Sequence, residues 1–468
     1  MNSHDNSALA DPAYVSDLGG GLIRRWSTTE DQEKIAQCLG TVFRQSADAP
    51  LNPRVIDEIR IMMSPGYAFM GPGDIAIVVD TSQPGHPVVA STCCWSHCWS
   101  YGGIPFRVGR PELVATLPEY RNRGLMRALF AMFHARSTAN GELVQAITGI
   151  PYYYRQFGYE YALDLDGYRA VAAADVPPPP EDGTEPYSLR QATVADIPDL
   201  LTLYNQERDR SLVWHETDAT YWHSVITAWE DPVVQAKDIR EVGLIGSLYM
   251  IVDKAGVACG YIWPAAKRRS NYLWIFGMQL RKQVNWQVAV PSLLRTLRTM
   301  GEQMPTFMPD AKPFDKIGFN LGRAHPLYAV LGEQLAPRGE PPYAWYLRVP
   351  DIGGFIRHVT PILEQRLADS ILSGHTGELT INFYRGGLRL AFEDGRLATV
   401  EPWRAAPFGA DPSVGCPALV FLQLLFGYRG LAELRAIFPD VYAEQEPAVL
   451  LDILFPKWPS VVENLSYT

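Results

Sequence analysis

Apolar and polar positions fall into blocks along this chain, and each block reads as an element. "GDIAIVVD", "HPVVASTCCW", "IPFRVG" and "PELVATL" are short apolar runs joined by the turn signals "SQPG" and "YGG", and they predict consecutive strands. The next block, "GLMRALFAMFHARSTAN", changes period: Leu125, Met126, Leu129, Phe130 and Phe133 recur at helical spacing. "ELVQAIT" returns to a strand. Strand, glycine turn, helix and strand make a βαβ crossover, whose crevice opens at the carboxyl ends of the strands.

The same patterning divides the chain. "DVPPPPEDGTEP" (Asp175 to Pro186) is a stiff polar spacer, and "LAPRGEPPYAW" (Leu335 to Trp345) is a second, weaker joint. The first two segments begin alike, with Thr28 and Asp31 in one and Thr193 and Asp196 in the other, both S/T-x-x-D capping signals ahead of a helix. They also close alike, in "YYYRQFGYE" around Gly158 and "KPFDKIGFN" around Gly318, so an internal duplication of a whole domain is expected. The third segment differs. "DIGGFIRHVTPILEQRL" predicts a helix, "GELTINFYRGGLRLAFEDGRLATV" two or three strands with turns at Gly386-Gly387 and Asp394-Gly395, and "CPALVFLQLLFG" and "EPAVLLDILF" two strongly apolar helices. The expected fold is mixed α/β with domains at 1–174, 187–345 and 350–468.

Composition narrows the classes. A chain of 468 residues with 47% apolar and 20% charged residues is long enough for several cores. Its net charge of -10 argues against general nucleic-acid binding and suits a cationic partner. The six cysteines make no disulfide framework. Cys93, Cys94 and Cys98 cluster with His97, but the spacing of a zinc module is missing, so a buried strand using cysteine as a small hydrophobe is expected and no metal. The polar first twenty residues lack an apolar leader core, and no run reaches the length of a membrane span; a cytoplasmic location is expected.

The chemistry concentrates in "VATLPEYRNRGLMRALF", Val114 to Phe130. Residues 121–126, "RNRGLM", join a strand to a helix N-terminus, where backbone N–H groups lack internal partners and the helix dipole adds positive charge. Such a turn holds a pyrophosphate when the backbone can come close, which Gly124 permits, with Arg121, Arg123 and Arg127 flanking. The stretch resembles the R/Q-x-x-G-x-G/A loop of the GCN5-related N-acetyltransferases (GNAT), with Met126 at the last position. "YRQFGY" resembles the same family's closing motif. The succession of two such domains and a sterol-carrier-like third resembles the enhanced-intracellular-survival (Eis) type, over nearly the whole chain.

That resemblance implies a fold, a cofactor and roles. Acetyl-CoA is expected as co-substrate, its pantetheine arm pairing with the splayed strand Val114, Ala115 and Thr116. Its pyrophosphate is expected at Asn122, Arg123, Gly124, Leu125, Met126 and Arg127, with Gly149 and Ile150 beside the arm. Tyr154 would protonate the leaving thiolate, and the carboxylate of Thr468 would serve as base; the residues themselves leave open a water or a carboxylate such as Glu112 or Glu160. The second domain carries Phe314 where Tyr154 sits and has no arginine–glycine loop, so it is expected not to hold the cofactor. Trp95, Trp99 and the segment Trp214 to Trp222 offer rings for a cationic amine. An aminoglycoside- or polyamine-like acceptor and a homohexamer follow from the resemblance; a protein lysine or a bound lipid is left open.

Overall fold

The computed structural model describes residues 6–64, 67, 69–239, 242, 246–306, 312–337, 339, 343–404 and 413–462. Its first strands are β1 (Val15–Asp17), β2 (Leu22–Trp26), β3 (Ile75–Asp80), β4 (Val88–Tyr101), β5 (Ile104–Thr116), β6 (Val144–Ile147) and β7 (Glu160–Leu165). Then come β8 (Arg169–Ala172), β9 (Tyr187–Gln191), β10 (Val213–His215), β11 (Tyr249–Asp253), β12 (Ala258–Pro264), β13 (Tyr272–Leu280), β14 (Lys316–Phe319) and β15 (Tyr343–Arg348). The last five are β16 (Gly377–Asn382), β17 (Gly387–Glu393), β18 (Arg396–Pro402), β19 (Val414–Gly415) and β20 (Tyr442–Ala443).

Three sheets result. The first runs β1-β2-β3-β4-β5-β6-β15-β7 with β10 against the far end of β4; the second runs β8-β14-β13-β12-β11-β9; the third runs β18-β17-β16-β19-β20. The internal duplication is visible in the order, because β2-β3-β4-β5-β6 and β9-β11-β12-β13-β14 match strand for strand. Each series ends in a parallel pair, β5 with β6 and β13 with β14, bridged by the helix Leu125–Ala139 or Trp286–Gln303. Both repeats open on the same lock. The Arg25 guanidinium grips Asp31 at 2.7 Å and that of Arg190 grips Asp196 at 2.6 Å, while the Thr28 and Thr193 amides each donate to the same carboxylate at 2.8 Å.

Neither repeat completes its own sheet. β15 enters between β6 and β7, antiparallel to both, and β8 pairs antiparallel with β14. Each expected domain boundary is therefore crossed by a strand: β8 precedes the first proline-rich joint yet belongs to the second sheet, and β15 starts at the second joint yet belongs to the first. The cause is hydrogen-bond demand. The inner flanks of β6 and β7 and the outer flank of β14 would otherwise present unpaired backbone groups, and the two crossing strands cover them.

Two further expectations change. The runs "IPFRVG" and "PELVATL" form one strand, β5, which with the long β4 makes a hairpin turning at Gly102 and Gly103, both with positive φ. "DIGGFIRHVTPILEQRL" is two helices, Ile352–His358 and Thr360–Ala368, because Pro361 starts a new helix more readily than it continues one. The tip of the hairpin is buried in the third domain. Tyr101 donates to the Leu425 carbonyl at 2.7 Å, and Phe106 packs edge-on against Phe355 at 5.3 Å, so the cores of the first and third domains are continuous. Among the described residues no helix is long and apolar enough to cross a membrane.

Trp345 of β15 joins these layers. It is fully buried, lies edge-on to Trp99 at 5.4 Å and under the Arg110 guanidinium at 4.7 Å, and donates its indole N–H to the Val462 carbonyl at 3.1 Å. Trp345→Ala is expected to destabilise the chain by about 3–5 kcal/mol, the range for emptying a large aromatic site in a core, read as a lower midpoint in urea unfolding.

Candidate active site

β5 and β6 are paired only at Val108–Val144 and Gly109–Gln145. Beyond that, β5 carries Pro111, which has no N–H to give, and then a bulge: Glu112 faces Cys93 and Ala115 faces Ser91, leaving two residues of β5 opposite one of β4. Leu113 holds φ 47 there. The bulge turns the end of β5 away from β6, whose other flank pairs with β15. Ala115 and Thr116 remain tied to β4 on one side, and with Val114 they line a cleft of about 880 Å³ on the other.

The floor of that cleft is the turn after β5. Asn122 at φ 62 and Gly124 at φ 76 alternate with ordinary residues, so the backbone curls and the helix Leu125–Ala139 starts directly after Gly124. The Ala128 amide donates to the Gly124 carbonyl at 3.1 Å, and the earlier amides are the ones a helix leaves without internal partners. A Cβ on Gly124 would meet nothing within 4 Å, so the space above the turn is open. Curled amides, a helix dipole and an open approach fit a pyrophosphate. Asn122, Gly124, Leu125, Met126 and Arg127 line this floor, and Ile150 lines the facing wall with Tyr153 and Phe157.

Three expected residues lie elsewhere. Arg123 turns back, its guanidinium 4.9 Å above the Tyr120 ring and donating to the Glu119 carbonyl at 3.1 Å; it braces the turn, while Arg121 and Arg127 border the cleft. Gly149 lies behind Ile150, with its carbonyl accepting from the Tyr343 hydroxyl at 2.6 Å. Tyr154 is buried in the short helical turn Tyr153–Phe157, packed against Phe130, Tyr153 and Tyr346. Its phenol lies under Gly149, where an added Cβ would meet the hydroxyl at 3.9 Å. Burial, reinforced by the charge of Glu112, pushes its pKa up, so it carries its proton at neutral pH. Thr468 lies outside the described residues.

Of the two spare carboxylates, Glu160 is committed to Arg155 at 2.7 Å and to the Tyr161 amide at 2.9 Å. Glu112 is paired with Arg110, a buried guanidinium held between the Trp95 and Trp345 rings. Behind Glu112 lies an aromatic group joining both repeats. Phe69 stacks on His97 at 4.1 Å, close to Trp95 and Tyr221, and His97 Nδ1 meets His215 Nε2 at 2.9 Å. Desolvation holds His97 well below the ordinary histidine range, so it is neutral. Its Nε2 and the Trp95 indole N–H have no hydrogen-bond partner among the described residues. Of the rings expected at the acceptor, Trp95 and Tyr221 are in this group, and all five, with Trp99, Trp214 and Trp222, are buried in the cores. Phe69 is unmarked in the sequence, and His215, inside the marked segment Trp214 to Trp222, has no visible partner until β10 pairs with β4 and brings it to His97.

The second repeat has the same splay, with β13 outrunning β14 after Ile275–Phe319, but fills it from within. His325 Nε2 lies 2.9 Å from the Met278 carbonyl, and its ring packs against Trp286. The turn into the helix Trp286–Gln303 holds no residue at positive φ.

Comparison with known proteins agrees with this geometry. Residues 23–162 match the sequence profile of the acetyltransferase (GNAT) domain. No curated protein matches the sequence. Solved structures of similar fold include a protein of unknown function from Enterococcus faecalis V583, described as a probable N-acyltransferase, at TM-score 0.65 and 12% identity, covering 95% of this chain and 100% of that one. A GCN5-related N-acetyltransferase from Anabaena variabilis ATCC 29413 aligns at TM-score 0.64 and 15% identity, over 94% and 99% of the two chains. Eis1 from Mycobacterium abscessus aligns at 0.56 and 14%, over 96% and 99%. Residues 23–162 are an acetyltransferase (GNAT) domain, and the chain is an acyltransferase enzyme.

Proposed function

We propose that this enzyme moves the acetyl group of acetyl-CoA to the amine of a small cationic acceptor, with the first repeat holding the cofactor. The observation that carries the reading is the open flank of Val114, Ala115 and Thr116 running into the curled amides at 122–127. An extended arm can add to the first as a strand while its diphosphate meets the second. Acetyl-CoA supplies the thioester whose C–S bond breaks as the C–N bond to the amine forms. The chain's own residues then handle charge and protons. An amide of the Val114–Thr116 stretch donates toward the carbonyl oxygen, and Tyr154, kept protonated by burial, gives its proton to the departing sulfur.

The acceptor reading rests on the buried aromatic group behind Glu112. Rings of Phe69, Trp95 and Tyr221 lie together there, and burial, with the charges of Glu58 and Glu112 behind it, pushes the Cys93 thiol up. Aromatic faces with carboxylates suit a cationic amine, as does the net charge of -10. For the proton-accepting base we propose the carboxylate of Thr468, supported by the course of the tail: the Val461 amide donates to Ser211 Oγ at 2.8 Å, and the Val462 carbonyl is held by Trp345, the ring that covers Arg110. Glu112 is the competing base. The filled splay of the second repeat supports a role as a wall rather than a second cofactor site.

Three outcomes are expected in a free-thiol assay with acetyl-CoA and a panel of polyamines and aminoglycosides. Gly124→Val, which puts a branched side chain at positive φ and into the open approach, should raise KM for acetyl-CoA tenfold or more. Tyr154→Phe should lower kcat by about 10²–10⁴-fold, the span of a lost proton transfer, and leave KM for acetyl-CoA nearly unchanged. Truncation after Val462 should lower kcat and flatten the acid limb of the pH profile, with Glu112→Gln far milder; the reverse order would assign the base to Glu112.

A further inference from the structure

A second cavity, of about 270 Å³, lies where the two sheets exchange strands. Its lining comes from both crossings. Asp166, Gly167 and Tyr168 form the step from β7 to β8, and Tyr343 opens β15; Trp274, Phe276 and Asn320 come from the second repeat, with Arg269 beside them. β13 explains the aromatic wall. Its alternate residues Leu273 and Ile275 are buried in the core, so Tyr272, Trp274 and Phe276 face outward and are only partly covered. Tyr168 stands edge-on to Trp274 at 4.8 Å, and Tyr272 stacks on it at 4.8 Å, so the rings are fixed in place.

The polar groups complement a flat acid. Arg269 makes no side-chain ion pair or hydrogen bond among the described residues; the Asp166 carboxylate in the same lining acts on it through charge alone, which leaves its fork of donors for a ligand carboxylate. Asn320 donates to Asp166 at 3.0 Å, while its own carbonyl oxygen is buried without a partner and asks for a donor. The volume is at the small end for ligand pockets. The cavity is also wired to the cofactor cleft. Tyr343, one of its walls, donates to the Gly149 carbonyl at 2.6 Å and meets the Tyr161 hydroxyl at 2.9 Å. The residue after Gly149 is Ile150, which lines the cleft and whose carbonyl accepts from the Tyr346 hydroxyl at 3.4 Å.

We infer that this cavity binds a small aromatic carboxylate bearing a hydroxyl or N–H donor, and that its occupancy reaches the cofactor cleft through the Tyr343–Gly149 hydrogen bond. The ring stacks among Tyr168, Trp274 and Phe276, the carboxylate meets Arg269, and the donor satisfies Asn320. Binding itself is independent of the acetyl-transfer reading; the effect on the cleft rests on it.

Calorimetry of the full chain, without acetyl-CoA, tests binding directly. The probes are 4-hydroxyphenylacetate, tyrosine and indole-3-carboxylate, with 4-hydroxybenzyl alcohol as the uncharged control. At least one acid should bind saturably at one site per chain, about tenfold or more weakly to Arg269→Gln and not measurably to Trp274→Ala, and the alcohol should not bind. No saturable binding by any acid, or equal affinity in Arg269→Gln, overturns the site. The bound acid should also shift KM for acetyl-CoA in the wild type and not in Tyr343→Phe, which keeps the ring wall and should still bind it. A shift that persists in Tyr343→Phe overturns the coupling and leaves binding to be judged by calorimetry alone.

Discussion

The parting of β5 from β6 after two residue pairs is the constraint on which the site depends. Strand backbones seek partners on both flanks, and an unpaired stretch next to a sheet interior is costly unless something fills it. Pro111 and the bulge at Leu113 enforce the parting locally, and β15 holds β6 in place from its opposite flank. The same geometry is treated in two ways in one chain. In the second repeat His325 closes the gap on Met278, whereas in the first the gap opens onto the curled turn before the helix Leu125–Ala139. The gap is filled in one copy and open in the other.

The strand exchange gives the parting its rigidity. A single GNAT-like repeat here cannot finish its own sheet, so each is held by a strand that the other side of the molecule delivers. Trp345 shows the consequence. One indole on the exchanged strand touches Trp99 of the first repeat and Arg110 behind the cleft, and it holds the carbonyl of Val462 near the end of the described chain. The wall of the cleft, the third domain and the tail are thus joined through residues far apart in sequence. The first domain behaves as one part of an interlocked whole.

Much of this was legible in the sequence because it is written in local chemistry. The capping pairs Thr28/Asp31 and Thr193/Asp196, the Asp394-Gly395 hairpin and the helix after Gly124 each rest on a few neighbouring residues whose conformational preferences agree. Most of the expected cofactor contacts, Val114 to Thr116 and Asn122 to Arg127, fell on the cleft for the same reason; Arg123 did not, because charge alone does not say which way a long side chain turns, and Tyr120 captures it. What was hidden is long-range. Nothing near β8 or β15 announces that they pair across the joints, since a strand of four to six residues carries the same alternation whichever sheet accepts it. The His97–His215 contact likewise exists only after β10 docks on β4.

Hydrogen exchange read by mass spectrometry, with and without acetyl-CoA, tests the central claim most directly, since it reports on the backbone groups themselves. The account predicts slowed exchange at the amides of residues 114–116 and 122–127 when the cofactor is added, and no change across residues 277–287 of the second repeat. Protection confined to the second repeat, or none at either stretch under saturating cofactor, would contradict it.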